Sequence, residues 1–229
     1  MECSGRSIIL FLRVMSTNSV QLFDANSPMC FKHIRRQGAE KLVVSFTGMG
    51  KRVPFDFYKT FTNLDEKYDV LFLSDPNEKF YTKGVRGFAD TEKDIWMNIL
   101  KLGLYKKYYF VGTSMGGYAA AYHGNALAHY AEHHFAPQIN LLLLNPYIDP
   151  TIRLRKYGTD LTKVLRSSPK FGKIWLIYGG KESDILQANL LRWTLPTTAT
   201  CYAECMDHNI AGWMKSAGLL LPLIKEFLN

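Results

Sequence analysis

Short apolar runs rich in β-branched and aromatic residues recur along the chain at residues 41–47, 68–73, 108–112, 139–145, 173–178 and 199–204. Between them lie segments of helical character. Residues 89–102 repeat Ile95, Trp96, Ile99 and Leu102 on one face, residues 116–130 are small and alanine-rich, and residues 212–228 close the chain as an amphipathic helix that Pro222 kinks or restarts. Alternation of this kind predicts parallel strands linked by crossover helices. Several runs are almost continuously apolar, such as Leu141-Leu142-Leu143-Leu144, as strands are when helices cover both sheet faces. Upstream, residues 8–14 and 29–35 read as two antiparallel strands joined through the turn region at 24–28. The longest interval between strands, 146–172, carries Pro150, Gly158 and Pro169 and reads as a small cap over the carboxyl edge of the sheet. The fold class is therefore α/β, a mostly parallel central sheet with helices on both faces and a short cap.

Composition narrows this picture without redirecting it. The 229 residues suit one domain spanning 1–229, and 47% apolar with 21% charged residues is the balance of a globular chain with a sizeable core. No apolar run approaches the ~18–20 residues that span a bilayer. The apolar stretch within residues 1–15 has Glu2 where a basic region belongs and Arg13 on its far side, so a cleaved signal peptide is not expected. Cys3, Cys30, Cys201 and Cys205 form no CxxC pair. On one strand Cys201 and Cys205 would sit ~13 Å apart, too far for a disulfide. Scattered thiols suit a reducing, cytoplasmic location.

The most specific chemical feature is Gly112-Thr113-Ser114-Met115-Gly116-Gly117, between the strand at 108–112 and the small-residue helix. This is the G-x-S-x-G context of a nucleophile elbow, where a strand reverses into a helix so tightly that the serine takes a strained backbone angle and its neighbours need almost no side chain. A phosphate-cradling loop is the competing reading. The segment lacks the Lys-Ser/Thr of a P-loop and the G-x-G-x-x-G spacing.

A serine hydroxyl needs a base, and the base a carboxylate to orient it. On a fold of this type the chain order is serine, acid, histidine. Of the six histidines, His33 precedes the serine, and His123, His129, His133 and His134 follow before another strand could supply an acid. His208 remains, in the loop between the last strand and the terminal helix. The acid belongs after the penultimate strand, where Gly179-Gly180-Lys181-Glu182-Ser183-Asp184 offers Asp184, with Glu182 next and Asp149 third. Each could instead cap a helix. Acyl transfer also needs amides aimed at the oxyanion. The Met115 amide follows the nucleophile directly, and Thr47, Gly48 or Met49, after the strand at 41–47, would supply the other.

Together these residues resemble the α/β-hydrolase superfamily from Lys41 onward. The stretches 31–33, 38–46, 71–75 and 81–87 are also similar to those of small bacterial members that modify surface polysaccharide, capsule O-acetyltransferases among them, and more distantly to hydrolase-like proteins of accessory secretion. The resemblance implies an acyl ester on a glycan as substrate and requires no cofactor.

The balance of 28 Lys and Arg against 20 Asp and Glu, a formal charge of +8, bears on the substrate. Basic residues gather at Lys51 and Arg52 and in the cap at Arg153, Arg155 and Lys156, followed by Lys163, Arg166, Lys170 and Lys173. If this segment overhangs Ser114 it would hold an anionic substrate by charge; otherwise it is a solvated basic face. A nucleic-acid partner is not expected, because aromatic residues do not interleave with the basic ones. No metal is expected either, since Tyr130 stands where the glutamate of an H-E-x-x-H site would be. The leading expectation is serine-dependent ester hydrolysis of a small molecule or glycan. Its rivals are O-acetyl transfer to a surface polysaccharide and a non-catalytic module that binds glycan or assists secretion.

Overall fold

The computed structural model describes residues 30–50, 55–132, 134–149, 158–165, 171–195 and 197–229. Among these residues seven strands form one sheet in the order β1-β3-β2-β4-β5-β6-β7. They are β1 (Phe31–Ile34), β2 (Lys41–Phe46), β3 (Tyr68–Leu73), β4 (Lys107–Thr113), β5 (Gln138–Leu144), β6 (Ile174–Gly179) and β7 (Ala199–Ala203). From β3 to β7 every pairing is parallel, whereas β1 runs antiparallel to β3 with Phe31 opposite Leu73. The strand expected around 29–35 is thus antiparallel, but its partner is β3. The hairpin partner expected at 8–14 lies outside the described residues.

Among the described residues seven helices accompany the sheet: α1 (Tyr58–Thr62), α2 (Glu92–Lys101), α3 (Met115–Glu132), α4 (Leu161–Leu165), α5 (Glu182–Thr194), α6 (Ile210–Ser216) and α7 (Leu220–Leu228). Successive residues of an inner strand point to opposite faces. Accordingly, Leu42, Val44 and Phe46 of β2 join the core under α2, α3, α4 and α5, while Val43 joins the second core under α1, α6 and α7. This double burial explains why the strands read as unbroken apolar runs. α2 starts at a capping box in which Thr91 and Asp94 each bond the other's backbone amide.

The terminal helix expected across 212–228 is two helices. Gly218 breaks it with a left-handed φ of 73°, and Pro222 sits in the first turn of α7, where a missing N–H costs no helical bond. The chain end is tied to the sheet, since the hydroxyls of Tyr68 and Tyr109 each donate to the Leu228 carbonyl at 3.0 Å. Within the interval expected as a cap, α4 buries Leu161 and Leu165, and the Thr159 amide just before it donates to the Tyr118 hydroxyl of α3 at 2.7 Å. Among the described residues no helix is long and apolar enough to cross a membrane. Because β2 to β7 all run the same way, the loops leaving their carboxyl ends share one edge of the sheet, where open α/β sheets gather their functional groups.

Candidate active site

Ser114 is the single residue between β4 and α3, and its φ of 54° is left-handed. The turn survives because glycine surrounds it. A Cβ on Gly112 would lie 2.1 Å from the Gly116 carbonyl oxygen, and one on Gly116 would lie 2.1 Å from the Phe46 carbonyl oxygen. The backbone at Ser114 is fixed at both ends. Its N–H donates to the Leu144 carbonyl at 2.9 Å, and its carbonyl accepts from the amides of Tyr118 at 3.1 Å and Tyr147 at 3.2 Å. A strained turn persists only when its surroundings hold it this firmly.

The loop after β7 returns His208 to this turn. Its Nε2 lies 2.8 Å from Ser114 Oγ, and its Nδ1 lies 2.8 Å from Asp184 Oδ1. A carboxylate can only accept, so Nδ1 carries the proton and Nε2 is left to accept from the serine hydroxyl. The serine is 8% exposed and Asp184 2%, which keeps water away from the ends of this chain and leaves the imidazole edge as the wetter part. Of the three carboxylates weighed from sequence, Asp184 is the one bonded to His208. Glu182 is exposed on the first turn of α5, and the Asp149 backbone is tied to Gln187 through its N–H at 2.9 Å and its carbonyl at 2.9 Å. Asp184 does not cap α5, whose N-cap position is Lys181.

Two positions that sequence did not single out hold the site together. Asn145, at the end of β5 with φ 43° and 2% exposure, donates from Nδ2 to the His208 carbonyl at 2.9 Å and accepts from the Gly179 amide at 2.8 Å. It therefore joins the histidine loop to the end of β6. The second is Asp56, whose Oδ2 accepts from the Gly48 amide and from the Thr113 hydroxyl, both at 2.8 Å. The available signal for Asn145 was a polar residue closing an apolar strand before Pro146. Asp56 has no local pattern, because its partners are 8 and 57 residues away. The Tyr147 ring packs on His208 at 5.5 Å between centroids.

The four amides considered for an oxyanion site differ in their engagements. Thr47 donates to the Leu73 carbonyl at 3.0 Å and Gly48 to Asp56. Among the described residues the Met49 amide has no hydrogen-bond acceptor, and Met115 opens α3, where helix N–H groups are unpaired and the dipole favours negative charge. Lys51, Arg52, Arg153, Arg155 and Lys156, considered for substrate binding, lie outside the described residues.

No family model matches the chain, and no curated protein matches it either. Solved structures do. A lipase-esterase related protein from Clostridium acetobutylicum superposes with a TM-score of 0.57 at 11% identity, over 88% of this chain and 100% of that one. The meta-cleavage product hydrolase of Pseudomonas fluorescens gives 0.55 at 11% identity, over 87% and 93%. A glycosylation-associated protein complex from Streptococcus agalactiae gives 0.56 at 14% identity, over 87% of this chain and 44% of that one. The chain has the α/β-hydrolase fold.

Proposed function

We propose that the chain is a serine hydrolase of the carboxylesterase type, acting on an ester-bearing small molecule or glycan. The observation that carries this reading is the continuous line of hydrogen bonds from Ser114 Oγ through His208 to Asp184, at 2.8 Å each. Ser114 Oγ attacks the ester carbonyl as its proton passes to His208 Nε2, and Asp184 stabilises the imidazolium that forms. The carbonyl oxygen becomes an oxyanion, accepting from the amides of Met115 and Met49. Collapse expels the alcohol, which takes the proton from His208. Water then attacks the acyl-serine with His208 as base again, releasing the acid and the free serine.

The test is turnover of p-nitrophenyl acetate by the wild type and Ser114→Ala. Serine-dependent release of nitrophenolate, with the variant slower by about 10⁴-fold or more, supports the reading. Equal rates discard it. Adding candidate acceptor glycans separates hydrolysis from transfer, because an acyl-serine intercepted by a sugar hydroxyl yields acetylated glycan in place of acetate.

A further inference from the structure

We propose that Asp56 is a positioning residue for the oxyanion site, locking the loop after β2 against the nucleophile turn. This rests on the reading of Ser114 as an acyl-accepting nucleophile. It adds a carboxylate that takes no part in the line from serine to histidine to acid.

The two backbones are in direct contact. A Cβ on Gly48 would stand 2.9 Å from the Thr113 carbonyl oxygen, and one on Gly116 would stand 3.0 Å from the Thr47 carbonyl carbon. The loop after β2 therefore lies directly on the residues flanking Ser114. β2 ends at Phe46, and the pairing continues one residue further, the Thr47 N–H donating to the Leu73 carbonyl at 3.0 Å while the Thr47 carbonyl accepts from the Tyr81 hydroxyl at 2.9 Å. Beyond Thr47, Asp56 joins the loop to the turn with a single oxygen. Oδ2 accepts from Gly48 N–H on the loop and from the Thr113 hydroxyl on the turn, at 2.8 Å each. The backbone of Asp56 is held in turn, its N–H donating to Thr47 Oγ1 at 3.3 Å and its carbonyl accepting from Ser45 Oγ at 3.1 Å. An ionised acceptor makes each side-chain bond stronger than a neutral one would.

The consequence concerns Met49. With the Thr47 amide in the sheet and the Gly48 amide on Asp56, Met49 is the one of these three residues whose N–H has no acceptor among the described residues, and it lies one residue beyond the clamped position. Donors to an oxyanion act by being fixed before charge develops, so a loop that drifts by a fraction of an ångström loses transition-state binding while substrate binding is little changed. Removing the clamp should therefore lower kcat and leave KM nearly unaltered.

The experiment compares the wild type with Asp56→Ala, Thr113→Val, Thr113→Ser and the double variant Asp56→Ala/Thr113→Val. Active sites are first titrated with a fluorophosphonate, so that misfolded protein drops out of the rates. On p-nitrophenyl acetate, Asp56→Ala should lose about 10–100-fold in kcat per titrated site, with KM within about threefold. Thr113→Val, which replaces the hydroxyl with a methyl group, should lose about tenfold, and Thr113→Ser, which keeps the hydroxyl, should recover most of that loss. The double variant should be little slower than Asp56→Ala alone. Affinity for a trifluoromethyl ketone, which forms a tetrahedral adduct on the serine, should fall in parallel with kcat/KM. If Asp56→Ala does not fold, Thr113→Val and Thr113→Ser carry the same comparison. A wild type active through Ser114 whose variants keep kcat per site within about twofold overturns the role of Asp56 alone. A wild type without Ser114-dependent turnover overturns both readings.

Discussion

Asn145 illustrates how a single side chain can decide whether a site exists. Its side-chain amide both donates and accepts, and the two bonds meet backbone groups of two different loops, His208 O and Gly179 N, adding to the Gly180 N–H bond to the Cys205 carbonyl at 2.8 Å. Asn145→Ala would leave the Gly179 amide and the His208 carbonyl without these partners and place alanine at a left-handed φ of 43°. The expected outcome is a loss of about 1–3 kcal/mol in urea unfolding together with a lower kcat on p-nitrophenyl acetate. His123 makes a different prediction at the same scale. It is fully buried on α3, stacked on Phe46 at 5.5 Å, and among the described residues neither ring nitrogen has a hydrogen-bond partner. Burial pushes its pKa down from 6.5 to about 3. The unfolded chain takes up a proton below about 6.5 and the folded one does not, so acidification favours unfolding at about 1.4 kcal/mol per pH unit until about 3. Above 6.5 the group has no effect. Urea unfolding at several pH values should therefore show a shallower acid loss for His123→Phe than for the wild type, and parallel curves would rule this account out.

At the scale of elements, the site depends on how closely α3 and β2 approach. Gly116 is the point of closest contact, and Gly116→Ala would drive a methyl group to 2.1 Å from the Phe46 carbonyl oxygen. Backbone cannot yield as a flexible side chain can, so a loss of about 1–3 kcal/mol or more is expected in urea unfolding, with Ser114 displaced and esterase turnover reduced. Elements also differ in how well local pattern reports them. The inner strands are legible because both faces are buried and the runs stay apolar, and α2 because its apolar face and capping box agree. In the terminal segment Pro222 signals a kink or restart, and it does sit in the first turn of α7, but the apolar repeat continues past the break and does not place it. The interruption comes from Gly218, whose left-handed φ of 73° has no signature in hydrophobic periodicity.

For the whole molecule, the excess of positive charge, 28 against 20, is a property of the surface as a whole. Should the basic residues of the interval 146–172 face the serine, KM for an anionic ester should rise several-fold between ~50 and ~500 mM NaCl as the field is screened, with KM for a neutral ester unchanged. A flat response for both would remove charge from the account of substrate choice. The candidate site was legible in part. Gly112, Ser114 and Gly116 are adjacent in sequence, so their chemistry is local, and the order of strands let Asp184 and His208 be nominated from the loops that follow them. Asp56 and Asn145 were not legible, because their roles exist only once distant backbones touch.

The division between what is local and what is not runs through the whole protein. By itself the sequence determined the alternation of strand and helix, the burial of both sheet faces and the tight turn at Ser114, since each follows from side-chain volume, periodicity or backbone sterics within a few residues. Contacts between distant segments settled that β1 pairs with β3, that Asp184 rather than Glu182 or Asp149 meets His208, and that the Thr47 and Gly48 amides are engaged elsewhere while Met49's has no acceptor among the described residues. Those are choices among groups of equal chemistry, and only distance distinguishes them.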